Sequence, residues 1–279
     1  MIPNTDFGGA GPNLHFLHAN GYPPACYLPL VELLRNEAHV SSMHLRPLWP
    51  HSEPKEIRTW RPLSDDFLQY LDEQKINPLV AVGHSMGANI SLQTALRQPE
   101  RFSALILIDP VLFPPHFIAT YNLIKALGLS YKLHPLIGGA LKRRRRFDDL
   151  ETLFNSYRRK GIFRYFSNHS LRAYVNGIVK PAAAGGFELA YSPEWEARIY
   201  HTGVWRDMDL WRGLPSLKVP TLIIRGAETD TFLPAAAQRV MRIRPATTLV
   251  SLESATHLVA LEKPQEIDQT IRDFLKEHL

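Results

Sequence analysis

Cysteine is almost missing from this 279-residue chain: Cys26 stands alone, so no intrachain disulfide can form. A lone cysteine also gives no metal-binding spacing, and it fits a reducing compartment. No apolar run approaches the ~20 residues needed to cross a bilayer, which predicts no membrane span. The first residues, Met1 to Gly9, lack a basic region followed by an apolar core. They predict no signal peptide, and a cytoplasmic protein is expected. There is no internal repeat and no long low-complexity tract. Hydrophobic residues at 45% and charged residues at 21% exclude a disordered chain and describe an ordinary globule.

Acidic residues are scarce in one region only. Between Val111 and Pro215 there are 16 Lys and Arg against 8 Asp and Glu, an excess of +8. The rest holds 16 against 19, or −3, so the overall +5 comes from the middle segment. Such a patch fits nucleic acid or a plain solvated surface, and the second reading is taken here. No nucleic-acid partner is expected.

The flanks of that segment alternate short apolar runs with amphipathic stretches. Leu14–His18, Val40–Leu45, Leu79–Val82 and Ala104–Ile108 read as strands. Pro29–Asn36, Pro62–Gln74 and Ala88–Arg97 read as helices between them. Leu63, Phe67, Tyr70 and Leu71 share one face of the second helix. The rhythm stops after Asp109-Pro110 and resumes with a strand at Thr221–Ile224. A helix at Pro234–Arg242, a strand at Thr248–Leu252 and a last helix carrying Ile267, Ile271, Phe274 and Leu275 follow. Repeated β-α-β units predict an α/β fold with a mostly parallel, doubly wound sheet. Residues 1–110 and 216–279 form the core of this reading, and 111–215 a helical insertion. That insertion is rich in aromatic residues (Tyr157, Phe163, Tyr165, Phe166, Trp195, Trp205, Trp211). At the C-terminal edge of the sheet, where ligands bind in such folds, it would act as a lid.

One pentapeptide carries chemistry. Gly83-His84-Ser85-Met86-Gly87 lies between a buried strand and a helix. A sharp strand-to-helix turn crowds its neighbours, so positions without side chains are required beside the serine. The turn lifts the Ser85 hydroxyl above the sheet at the positive end of a helix. A hydroxyl is a weak nucleophile and needs a base. His257, on the loop between the last strand and the last helix, is in place for that role. The acid that orients the imidazole is sought after the strand at Thr221, and Asp230 is the choice. Glu228 is its near rival, and Asp109 the distant one, otherwise a turn cap before Pro110. The developing oxyanion needs two backbone donors. The Met86 amide is one and the Asn20 amide the other, with Tyr22 as rival. His18 and His84 are read as structural.

These motifs resemble the α/β-hydrolase superfamily in its single-domain form with a lid. The resemblance rests on His18-Ala19-Asn20-Gly21, the Ser85 pentapeptide, Arg225-Gly226-Ala227-Glu228-Thr229-Asp230, and His257 followed by Glu262-Lys263-Pro264. It implies a Ser85–His257–Asp230 triad and no metal or organic cofactor. The chain departs from the family pattern in three places. His-Gly becomes His18-Ala19. A flexible glycine loop becomes the stiff Leu45-Arg46-Pro47-Leu48-Trp49-Pro50. With about a dozen residues before Leu14, the early antiparallel hairpin must be shortened or absent.

Serine as nucleophile argues against the dehalogenase and epoxide-hydrolase branches, which need a carboxylate there. The expectation is a serine esterase acting on a small to medium, partly hydrophobic substrate, as monomer or homodimer. An acyltransferase, a cofactor-free perhydrolase, a carbon–carbon bond hydrolase and a non-catalytic receptor stay open beside it. Lys142-Arg143-Arg144-Arg145-Arg146 is read as a solvated helix face.

Overall fold

Alternating apolar residues in each strand send their side chains to opposite faces of one sheet, and this sorting builds two cores. The strands are β1 (Asn4–Gly8), β2 (Asn13–Leu17), β3 (His39–Met43), β4 (Leu79–His84) and β5 (Phe102–Ile108). Three short strands follow, β6 (Arg146–Phe147), β7 (Val179–Pro181) and β8 (Phe187–Leu189), then β9 (Thr221–Gly226) and β10 (Thr247–Leu252). The computed structural model describes residues 1–204 and 207–279. Trp205, one of the aromatic residues singled out above, lies outside the described residues.

The main sheet has seven strands in the order β1-β3-β2-β4-β5-β9-β10. All its pairs are parallel except β1 with β3. The early hairpin is therefore reduced to one short antiparallel edge strand. On one face Val80 and Val82 of β4 align with Ala104 and Ile106 of β5. With Leu222 and Ile224 they form a core closed by helices α1 (Leu28–Leu34) and α13 (Pro264–His278). On the other face Ala81, Leu105, Leu107 and Ile223 meet α2 (Arg61–Gln74), α3 (Met86–Ala95) and α11 (Pro234–Ile243). The predicted stripe of Leu63, Phe67, Tyr70 and Leu71 is buried in that second core. The sheet is doubly wound, as the β-α rhythm implied.

Between β5 and β9 the chain forms helices α4 (Pro115–Ala126), α5 (Ser130–Leu133), α6 (Pro135–Leu141), α7 (Leu150–Arg158), α8 (Asn168–Gly177), α9 (Pro193–Thr202) and α10 (Met208–Gly213). The strands β6, β8 and β7 pair here in a separate antiparallel sheet. They are two or three residues long, too short for a strand period to show in the sequence. Most aromatic residues of the segment are core. Tyr157, Phe163 and Phe166 join one cluster, and Trp195 and Trp211 the other. α12 (Val259–Glu262) precedes the last helix. No helix among the described residues is long and apolar enough to cross a membrane.

Candidate active site

The turn from β4 to α3 works only with glycine at two positions. A Cβ on Gly83 would lie 2.5 Å from the Gly87 carbonyl group, and one on Gly87 only 2.1 Å from the Leu17 oxygen. The absent side chains let α3 press against the end of β2 and bring the loop after β2 beside the turn. Ser85 sits between the glycines at φ 55°, ψ −119°, in backbone space that non-glycine residues seldom enter. Its amide donates to the Ile108 oxygen (2.9 Å), and its carbonyl accepts from the Ala88 and Asn89 amides (3.1 and 3.2 Å). The strained residue is thus held on both sides. Met86 opens α3, and its N–H belongs to the first four of the helix, which have no intrahelical partner.

His257 follows β10 and comes down on Ser85 from the far end of the sheet. Its Nε2 is 2.8 Å from Ser85 Oγ, and its Nδ1 is 2.9 Å from Asp109 Oδ1. The carboxylate against the imidazole is therefore Asp109, and the choice of Asp230 is corrected. Asp109 directly follows β5, the strand next to β4 in the sheet, and is fully buried. Its Oδ2 accepts the Gly226 amide (2.9 Å), and its Oδ1 also accepts the Thr229 hydroxyl (2.7 Å). Its own amide donates to Ile224 (2.7 Å), and φ is 42°.

Asp230 is exposed, and its carboxylate accepts from the neighbouring Thr231 hydroxyl (3.2 Å). The reason is the tight turn after β9. The Ala227 and Glu228 amides donate to Leu252 and Ala255, and Thr229 N–H folds back on Gly226. This curl points Thr229 inward and turns Asp230 out. Glu228 also faces outward, to Arg164 (2.6 Å) and Tyr165 (2.7 Å). The Tyr165 hydroxyl and the Arg164 guanidinium hold its carboxyl below the ordinary glutamate range. Along the chain the three contacting residues run Ser85, Asp109 and His257, with the carboxylate one strand earlier than expected. Asp109-Pro110 follows the most apolar strand, a place that the sequence shows without distinguishing it from Asp230.

With Nδ1–H donated to the Asp109 carboxylate, the Nε2 lone pair faces the Ser85 hydroxyl, the tautomer a base requires. A second set of bonds holds His257 from behind. Its carbonyl accepts from His84 Nε2 (2.8 Å), so Nδ1 of the neutral ring accepts from the Tyr27 hydroxyl (2.8 Å). Tyr27 Oη accepts the Ala19 amide in turn (3.2 Å). Complete burial lowers the His84 pKa to about 3, which keeps the ring neutral and the chain of bonds in one sense. The Glu262 carboxylate takes both the amide and the hydroxyl of Thr256 (2.7 and 2.8 Å) and braces the same loop.

His18 accepts the Leu45 amide at Nε2 (3.2 Å) and donates from Nδ1 to the Ala19 oxygen (2.9 Å). Burial lowers its pKa to about 4. The loop it shapes carries Asn20, buried, with its amide NH₂ on the Glu196 carbonyl (3.1 Å) and its Oδ1 taking the Tyr191 hydroxyl (2.9 Å). Gly21 follows at φ 76°, packed on the Glu196 carboxylate. Glu196 pairs with Arg143. Both line a cavity of about 650 Å³ with Tyr22, Lys160, Phe163 and Tyr174. The cavity borders the Asn20 loop through Tyr22 and Glu196, and the sequence had no means of locating it.

A model of the alpha/beta hydrolase family matches residues 16–270. An uncharacterized hydrolase of Bacillus subtilis, YugF, is 24% identical over 256 residues, covering 88% of this chain and 84% of that protein. The strigolactone esterase D14 of Arabidopsis thaliana is 26% identical over 219 residues, covering 77% and 72%. Among solved structures, E-2-(acetamidomethylene)succinate hydrolase superposes with a TM-score of 0.77 at 20% identity, over 98% of this chain and 94% of that one.

Proposed function

We propose that this chain, which belongs to the alpha/beta hydrolase family, is a serine hydrolase that cleaves a carboxylic ester or related acyl bond through an acyl-enzyme. One observation carries the reading: Ser85 Oγ, the His257 ring and the Asp109 carboxylate are joined at 2.8 and 2.9 Å. His257 Nε2 takes the Ser85 proton as Oγ attacks the acyl carbon. The imidazolium that forms is stabilised by the buried Asp109 carboxylate. The tetrahedral oxyanion takes the Met86 amide and the Asn20 amide as donors, with the positive end of α3 behind it. The Asn20 side chain is already committed to Tyr191 and Glu196, which supports its main-chain N–H for this role. His257 then protonates the departing oxygen. Water enters, loses a proton to the same nitrogen, and releases the acid from Ser85.

Residues 111–215 serve as a cap over this machinery. A cavity of about 650 Å³ lies in the range of small-molecule sites, ~300–1,000 Å³. Its lining is aromatic (Tyr22, Tyr157, Phe163, Tyr174) and charged (Lys142, Arg143, Lys160, Glu196) and does not include Ser85 or His257, so it would hold a part of the substrate remote from the scissile bond. The test is labelling with a fluorophosphonate, followed by mapping of the adduct by mass spectrometry. The adduct is expected on Ser85 and lost in His257→Ala. Labelling elsewhere, or undiminished labelling in that variant, would overturn the assignment.

A further inference from the structure

The first half of the cap has an outer face that the proposed chemistry does not use. Eleven large apolar side chains are exposed among the described residues, and eight of them fall between Phe117 and Leu141. Leu123, Leu127, Leu133 and Leu136 are 53–63% accessible. The inner faces of the same helices are anchored. Ile118 and Tyr121 of α4 enter the core, and Ile137 and Ala140 of α6 pack on Ala197 and Tyr200. The outer leucines are therefore surplus to folding, and a concentrated apolar patch of this kind marks an interaction surface.

Charge says what covers it. From Pro110 to Phe147 there are seven Lys and Arg, and all 27 Asp and Glu lie outside the stretch. Arg143, Arg144 and Arg145 meet carboxylates from beyond it, at Glu196, Asp148 and Glu194. Lys132 and Lys142, next along the chain to exposed Leu133 and Leu141, stand exposed, as does Arg146 of β6. Leucines beside lysines and arginines, with the neighbouring acids Asp148, Glu194 and Glu196 each already paired to an arginine, are the composition of a surface that lies on anionic lipid. A second copy of the chain fits poorly, because two faces of net positive charge would repel. We propose that the outer face of α4, α5 and α6 docks on an anionic phospholipid bilayer. Leu136 and Lys142 belong to this face and also line the 650 Å³ cavity, with exposed Ile162 beside them. Docking thus sets the cavity wall against the lipid.

The test is co-flotation of the full chain with phosphatidylcholine vesicles, with and without phosphatidylglycerol. Binding is expected with phosphatidylglycerol and should weaken as salt is raised. Leu127→Ser with Leu133→Ser should weaken partitioning by at least about tenfold, and Lys132→Gln by roughly fivefold. Turnover of a soluble ester should be unchanged in these variants, which checks their fold. Ser85→Ala should float like the parent, so failure of the triad reading would leave this result intact. Three outcomes would overturn the proposal. One is no flotation with either vesicle, and another is equal flotation of the double leucine variant. The third is a dimer in sedimentation velocity that the same leucine changes abolish, which would give the face to a second copy.

Discussion

Replacing Asp109 by Asn should nearly abolish turnover, and the geometry says why. The Asp109 carboxylate accepts from three donors: Gly226 N–H at Oδ2, and His257 Nδ1 with the Thr229 hydroxyl at Oδ1. An asparagine has one acceptor oxygen and one NH₂ group. If the oxygen stays on the imidazole, NH₂ faces the Gly226 N–H, donor against donor, in a site without water access. If the amide turns over, NH₂ faces Nδ1 and drives the proton to Nε2. His257 then presents N–H to Ser85 and cannot serve as base. The same exchange in a serine-protease triad lowers kcat by about 10⁴, which is roughly 5 kcal/mol of barrier. We expect a loss of that order here, with KM changed far less, measured on a soluble p-nitrophenyl ester. Asp230→Asn is the matched control. Its carboxylate is exposed and bonded only to Thr231 in the described structure, so turnover should stay within about twofold, as for surface changes. Strong loss in Asp230→Asn with retained activity in Asp109→Asn would refute the reasoning. Thermal melts of both variants separate chemistry from unfolding.

Two further outcomes follow from the same contacts. His15, His18 and His84 are fully buried, and burial lowers their pKa values to about 3, 4 and 3. Folded values below the unfolded one mean that the unfolded chain binds more protons, so stability is present above about pH 6.5 and is lost on acidification toward pH 3–4. Each such histidine contributes a loss of about 2 kcal/mol between pH 6.5 and 5, readable as a falling urea midpoint. A flat profile would contradict their neutral burial. Gly87→Ala places a methyl 2.1 Å from the Leu17 oxygen. It should cost about 1–3 kcal/mol in chemical denaturation and open the Ser85–His257 contact, with a parallel drop in kcat. An unperturbed melt would show that the turn has room the distances deny.

Local signals determined much of this protein from the sequence alone. Strands β2, β4, β5 and β9 announce themselves because side chains alternate between two buried faces. The Ser85 turn is legible because the approach of Gly83 and Gly87 to neighbouring backbone leaves no room for a Cβ. His257 is legible from its place after the last strand. The carboxylate that meets it is not, because the choice between Asp109 and Asp230 depends on how the 227–229 turn curls against the Leu252–Ala255 backbone. Propensity does not encode that turn. Asp109 is adjacent to Ser85 only through the sheet order, in which β5 lies beside β4. The same limit applies to residues 111–215. Their composition is plain in the sequence, but which leucines face inward is decided by packing against α9 and the core. Chemistry carried by one turn can be read along the chain, whereas contacts that join residues 148 or 172 positions apart are made only when the sheet closes.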